Sequence, residues 1–306
     1  MSLQYKVFQL NLSSELFFPE LLPLSFDHDK TDVSVRLGAV SAEGIENPIR
    51  TAPSFQAKKN TFWLNIPEVA RYLVLNGSEI IVDPADNADE ILVRIFLLGS
   101  CFGALLMQRG FFVLHGNAIG IGPYAFSITG FSGAGKSTLA GSLAQRGYPI
   151  LADDVCAINA DAEIVPSFPQ IKLWADAAKQ LSIETDSLRK IRPDMNKFAV
   201  PLATDFCSKP LPLKLVYILN TNDEDVITHK NLTGFEKYIP LRTQTYRQYY
   251  VQGLAMELNH KIQCSSLAER ITVVEITRPK GIHQIAKLTD YIEEDLKQRG
   301  LITCST

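Results

Sequence analysis

Residues 125–154 read AFSITGFSGAGKSTLAGSLAQRGYPILADD, and the way this stretch divides decides the fold. Ala125-Phe126-Ser127-Ile128-Thr129 is a short, β-prone apolar run that reads as a buried strand. Leu139, Ala140, Leu143 and Ala144 then recur at helical spacing, up to a stop at Gly147. Between them, Gly130 to Ser137 fits the pattern Gly-x-x-x-x-Gly-Lys-Ser of a phosphate-binding loop, in the strand, loop and helix context that the pattern needs. A chance glycine turn rarely has both flanking elements.

Each residue type in the loop has a physical task. Glycines at 130, 133 and 135 permit positive φ and carry no Cβ, so consecutive amides can turn inward on an anion. The candidate nucleotide-binding residues are therefore Gly130, Ser132, Gly133, Ala134, Gly135, Lys136, Ser137 and Thr138. Lys136 would reach the β and γ oxygens of a triphosphate as a point charge, the Ser137 hydroxyl would bind Mg²⁺, and Thr138 continues the helix. The helix dipole and its unpaired amides would point at the same anion.

About one helix later come Asp153 and Asp154, at the carboxyl end of the strand-like Ile150-Leu151-Ala152 that follows Pro149. In open α/β sheets ligands bind at that edge. If this strand runs parallel to 125–129, both carboxylates arrive beside Ser137. Phosphoryl transfer to a hydroxyl asks for a metal-binding acid and a base near the acceptor, and two adjacent carboxylates can divide these roles; the competing reading is that one Asp merely caps a turn. His115, in Leu114-His115-Gly116-Asn117, stands shortly before the loop strand, either as a hydrogen-bonded structural residue or as part of the site. Lys172 and Lys197 could supply positive charge to a transferred phosphoryl group, although most lysines are simply solvated.

The whole chain bounds these readings. Its 306 residues allow one large domain or two. A formal charge of −3 gives no global electropositive surface, so nucleic acid is not an expected partner. Cys101, Cys156, Cys207, Cys264 and Cys304 are odd in number and without Cys-x-x-Cys spacing, as expected of reduced thiols in a cytoplasmic protein. No signal peptide is read in the first ten residues, and the longest apolar stretch, Ile95 to Met107, is too short to span a bilayer and reads as a core helix. No membrane partner is expected, and a homo-oligomer is left open.

Short β-like runs such as Val33 to Val40, Thr61 to Ile66 and Ser78 to Val82 make residues 1–85 a β-rich N-terminal portion, with a second domain over 86–306. A helix is predicted over Ala88 to Gln108, capped by Asp86 or Asn87. Phe112 to Ile121 pairs with the loop strand through Gly122-Pro123, and the βαβ core runs over 125–158. Ile164 to Leu173 reads as extended, 182–211 as polar and irregular, Leu213 to Leu219 and Ile271 to Thr277 as strands, and Gly281 to Gly300 as an amphipathic helix. The sum is an α/β, or α+β mixed-sheet, architecture.

The segment from His115-Gly116 through Gly130-Phe-Ser-Gly-Ala-Gly-Lys-Ser-Thr138 and Arg146-Gly147 to Ala152-Asp153-Asp154 resembles the catalytic domain of HPr kinase/phosphorylase, whose motifs occur in this order and at this spacing. Outside it, Ile66 to Tyr72 with Asp83-Pro84, Leu106 through Arg109-Gly110, Pro169 through Trp174, and Lys197 are similar to the shorter HPr-kinase-like serine kinases, including those of lasso-peptide gene clusters. The resemblance covers about residues 60 to 220. It implies a phosphoenolpyruvate-carboxykinase-like P-loop nucleotide-binding domain, ATP with Mg²⁺, and transfer to a serine hydroxyl of a peptide or protein. It also implies an Asp of the pair as general base. The Arg-Gly-x-Gly segment that HPr kinases carry after the pair, associated with their phosphorylase activity, has no equivalent here. The likeness therefore leaves dephosphorylation and HPr as acceptor open, and residues 1–85 do not resemble the family's usual N-terminal domain.

The expected mechanism has amides 132–138 and Lys136 on the triphosphate, Ser137 and Asp154 on Mg²⁺, and Asp153 as base. Lys172, Lys197 and His115 complete the charge around the transferred group. Two rivals remain: a kinase of small-molecule alcohols using the same site, and a nucleotide-binding regulatory module with little or no transfer.

Overall fold

The computed structural model describes residues 2–24, 30–202, 205–280 and 285–303. Its chain divides into two compact units, Met1–Val113 with Thr245–Gln263, and Leu114–Gln244 with Cys264–Thr306. Both are built around large sheets, so the architecture is mixed α/β.

In the first unit the alternation of apolar and polar residues yields nine strands: β1 (Leu3–Val7), β2 (Leu10–Ser14), β3 (Leu22–Pro23), β4 (Val33–Leu37), β5 (Arg50–Ala52), β6 (Phe55–Lys58), β7 (Thr61–Ile66), β8 (Ala70–Leu75) and β9 (Glu79–Pro84). They form one sheet in the order β3-β1-β2-β4-β9-β8-β7-β6-β5. In β8 the burial alternates residue by residue, which places Tyr72 and Val74 in the core. The following helix, Glu90–Gln108, belongs to this unit, and Val93 accepts a 3.0 Å hydrogen bond from the Tyr72 hydroxyl.

That helix departs from the sequence expectation in two ways. Its N-cap is Asp89, whose Oδ1 accepts from the Ile91 amide at 2.8 Å, whereas Asn87 sits at φ +60 and lies outside the helix. It is also longer than its apolar core: 19 residues with a mean hydropathy of 1.9, enough by length and composition to cross a bilayer. Its most apolar window is 67% buried, as in a core helix.

The second unit places the site. Strands β10 (Phe112–Ile121) and β11 (Tyr124–Gly130) form the expected hairpin, turning at Gly122 with φ +56. After the helix Lys136–Gln145 come β12 (Ile150–Ala152), β13 (Val155–Ile158), β14 (Glu163–Val165) and β15 (Gln170–Trp174). Next are β16 (Lys197–Pro201), β17 (Leu211–Asn222), β18 (Thr228–Leu232) and β19 (Thr272–Pro279). On its other side from β10, β11 pairs parallel to β17, which pairs parallel to β19. The pair β13–β14 bridges β10 to β17, so β11, β10, β13, β14 and β17 close a ring.

Strand β12 does not pair with β11. It is antiparallel to β10, which is antiparallel to β11, so β12 has the same sense as the loop strand with β10 interposed. The carboxyl ends of β11 and β12 therefore share one edge, as the site requires. The helices Lys136–Gln145 and Ile285–Gln298 pack on this sheet through Leu139, Leu143, Leu288 and Ile292, and a buried 2.9 Å hydrogen bond joins Ser142 to Thr289.

Two sequence expectations are corrected by these pairings. The extended stretch 164–173 is two strands, because the segment up to Pro169 turns the chain between β14 and β15. Residues 182–211 are not wholly irregular: Lys197–Pro201 pairs in register with β15. β16, Lys-Phe-Ala-Val-Pro, is too short to show a period of its own and is held by its partner. The amphipathic helix begins at Ile285, and the expected start over 281–284 lies outside the described residues, as does Cys304.

Gly116 lets β10 and β11 meet closely. A Cβ there would lie 2.3 Å from the Ile128 carbonyl oxygen, in backbone that cannot yield cheaply. Gly116→Ala is therefore expected to destabilise this unit by about 1–3 kcal/mol, the usual cost of overpacking, read as a lower urea midpoint for its transition. An unchanged midpoint would show that the hairpin tolerates a methyl group and that this close approach is not needed.

Candidate nucleotide and acid site

The loop leaves β11 at Gly130, whose φ is +139. A side chain at this position would also meet the carbonyl oxygen of Leu219 at 2.4 Å, so only glycine satisfies both the backbone angle and the neighbouring strand. Gly133 and Gly135 follow at φ +83 and +97, and Gly135 is the helix N-cap. The first helical bond is donated by the Leu139 amide to the Gly135 carbonyl, so the amides of Lys136, Ser137 and Thr138 have no intrahelical partner. Ala134 is buried, Ser132 exposed, and Ser137 and Thr138 half-buried.

Lys136 is itself buried. Its Nζ donates to the carbonyls of Gly130 at 2.8 Å and Phe131 at 3.2 Å, closing the loop on itself. Burial lowers the ammonium's pKa, and the charges of Asp154 and Asp153 oppose that effect. The acidic pair thus stands within electrostatic reach of the loop lysine.

The two carboxylates have opposite environments. Asp153 is 4% exposed, its Oδ1 accepting from Asn117 Nδ2 at 2.7 Å and its Oδ2 from the Lys172 amide at 3.0 Å. Burial, followed by the neighbouring Asp154 charge, pushes its pKa up to about 6. Asp154 sits at φ +63 and forms a 2.8 Å ion pair with Lys172 Nζ. Burial pushes this carboxyl up as well, but Lys172 and Lys197 outweigh it and hold the group well below the usual carboxylate range.

His115 joins the pair from β10, and the two lysines join it from β15 and β16, which form a separate two-stranded sheet. His115 Nδ1 lies 3.3 Å from the Asp154 carbonyl oxygen, a hydrogen bond in the tautomer protonated at Nδ1. Burial lowers its pKa, which favours the neutral ring. Lys172 touches Asp154 directly, whereas Lys197 stands across the strand pair at Trp174, its ammonium 5.9 Å from the indole ring. Lys197 acts on the carboxylates through its charge.

Three residues given no role by the sequence belong to this arrangement. Asn117 orients Asp153, and its place two residues from His115 on a strand was a readable signal. Gln244 Oε1 accepts from the Gly130 amide at 3.0 Å, while its carbonyl accepts from the His115 amide at 2.8 Å, so one residue holds both the loop and the histidine strand. Arg278 Nε donates to the Ala134 carbonyl at 2.8 Å from the carboxyl end of β19. That end of a parallel strand is where ligands bind, which was the signal for Arg278; Gln244 had none in the local sequence.

No protein-family model matches the chain, and no curated protein matches it. Among solved structures it is similar to the HPr(Ser) kinase/phosphatase from Coxiella burnetii, at 13% identity over 61% of this chain and 97% of that one, with a TM-score of 0.29. So slight a superposition bears on neither fold nor function, and the functional reading rests on the chain's own site and sequence.

The paired carboxylates generate a pH test. The folded chain holds the Asp153 proton more tightly than the unfolded chain, so this group's stabilising contribution is complete below its unfolded value of 3.8 and is lost as pH rises through about 6. Asp154, shifted the other way, contributes stability at higher pH that is lost in stronger acid. Carbon-13 NMR titration of the side-chain carboxyls should place Asp153 near 6, and Asp154→Asn should move it to lower pH by removing the neighbouring negative charge. An Asp153 that titrates unchanged in that variant rules out the coupling.

Proposed function

We propose that this chain is an ATP-dependent phosphotransferase that moves the γ-phosphoryl group onto a hydroxyl, most naturally a serine of a peptide or protein. The observation that carries the reading is the opposite tuning of Asp153 and Asp154 at the sheet edge that also bears the phosphate loop. A carboxyl raised to about 6 is suited to accept a proton near neutral pH, and a carboxylate kept ionised is suited to a divalent cation.

The chain's residues fit a magnesium triphosphate. The amides of Lys136, Ser137 and Thr138 have no intrahelical partner, and Ser137 with Asp154 offers hard oxygen donors of the kind Mg²⁺ takes beside phosphate oxygens and water. Among the described residues no group of three or more His, Cys, Asp or Glu forms a metal site, so most of the ion's ligands would come from phosphate and water. When bound, the magnesium triphosphate supplies the phosphoryl group and neutralises its charge.

The protein would do the rest by placement. Lys136 would exchange its loop carbonyls for phosphate oxygens, and the free amides at the start of the helix would orient the chain of phosphates. Asp153, held by Asn117 and the Lys172 amide, would accept the acceptor's hydroxyl proton on a lone pair those bonds leave open. Lys172, Lys197 and neutral His115 would complete the charge balance around the transferred group.

The serine acceptor and a phosphoenolpyruvate-carboxykinase-like nucleotide domain belong to the same reading through the motif resemblance over residues 115–154. Cytoplasmic location belongs to it as well, in keeping with the free thiols Cys101, Cys156 and Cys207.

Two measurements test the reading. Asp153→Ala should lower phosphoryl transfer about 100-fold or more while the affinity for Mg²⁺-ATP, followed by calorimetry, changes little. Incubation of the wild-type chain with γ-labelled ATP and a cell extract should label a polypeptide, whereas label confined to small molecules would select the metabolite-kinase alternative. Retention of full transfer by Asp153→Ala, or failure of the wild type to bind any purine triphosphate, sinks the proposal.

A further inference from the structure

At the opposite end of the same strands lies a cavity of about 530 Å³. It is lined at the start of β17 by Lys214 and Leu215 and at the start of β19 by Thr272. Leu215 pairs with Thr272, and four residues further along β17 Leu219 pairs with Gly130 of the phosphate loop. At about 3.3 Å per residue the two sites are separated by roughly 13 Å of strand. The cavity is therefore not an extension of the loop.

Its walls concentrate positive charge in a chain whose net charge is −3. Lys214, Lys237, Arg270 and Arg299 come from four separate elements, and Glu269 is the one acid in the lining. Much of this charge retains donors. Lys237 Nζ gives two bonds, to the carbonyls of Ala268 at 3.0 Å and Ile271 at 2.9 Å, so one of its three protons remains. Arg299 binds Asp295 through Nε and Nη2 and Asn231 through Nη2, leaving the Nη1 donors. Arg270 spends one bond from each Nη on the carbonyls of Ala160 and Asp161. Lys214 is exposed, with its ammonium 4.7 Å above the Tyr124 ring.

With Asp295 counted against Arg299, the site still carries two more positive than negative groups. Cations held by separate elements around one concavity repel each other and are relieved by an anion whose several oxygens reach more than one of them. The volume is that of an ordinary small-molecule site. We propose that this cavity binds a small phosphate-bearing anion at a place separate from the phosphate loop. The remaining guanidinium donors and lysine ammonium groups, which point in from several directions, suit the tetrahedrally spread oxygens of a phosphoryl group.

Inorganic pyrophosphate is the probe, titrated calorimetrically into the full chain, into Lys214→Ala/Arg270→Ala, and into Lys136→Met, which weakens the loop. A control, Lys59→Ala/Lys261→Ala, removes two charges elsewhere. The expected result is a site that survives in Lys136→Met and in the control but is weakened about ten-fold or more in the cavity pair, with citrate binding at least about ten-fold more weakly than pyrophosphate. Should the cavity pair unfold, the milder Lys214→Gln is expected to show a smaller loss in the same direction. The proposal is overturned if pyrophosphate binding vanishes with Lys136→Met alone, if the control weakens it equally, or if citrate binds as well as pyrophosphate.

Discussion

The second unit depends on how tightly β11 is held between its neighbours. It pairs antiparallel with β10 on one side and parallel with β17 on the other, and its last residue lies where the Leu219 carbonyl leaves no room for a side chain. A strand gripped on both sides delivers the loop to a fixed point. The Gly130 amide is held by Gln244, its carbonyl by Lys136, and Arg278 holds Ala134. The loop is thus shaped by the protein before any anion arrives, which lowers the ordering cost of binding one.

The same frame separates two adjacent carboxylates. Asp153 turns inward to Asn117 and a backbone amide, where burial favours its protonated form. Asp154, one residue on and in a left-handed backbone conformation, turns to Lys172 and stays ionised. A strand alternates its side chains between faces, and the positive φ at Asp154 re-aims the second carboxylate within that alternation. Two chemically identical groups thereby acquire different proton affinities, the usual means of dividing acid and base roles in one site.

Much of this was legible in the residues. The hairpin 112–130, the helix stop at Gly147 and the strands near 61–66, 213–219 and 271–277 all follow from local period and turn chemistry. The rest was hidden for identifiable reasons. β16 is five residues long and ends at Pro201, too short to show a period, so only its pairing with β15 makes it a strand. The helix N-cap went to Asp89 because the backbone at Asn87 turns left-handed. Gln244 reaches Gly130 across 114 residues of chain, a separation at which no pattern in one sequence reports contact.

By itself, the sequence determined that a strand, a glycine loop, a helix and an acidic strand end succeed one another, because those signals lie in backbone freedom and apolar period within a few residues. Only the tertiary structure decided that β10 would stand between β11 and β12. It also decided that Asn117 and Lys172 would pull the two aspartates apart in proton affinity, and that four distant cations would line one cavity at the other end of the strands. Those outcomes depend on burial and on charge acting across strands that are remote in the chain, and neither can be read from neighbouring residues alone.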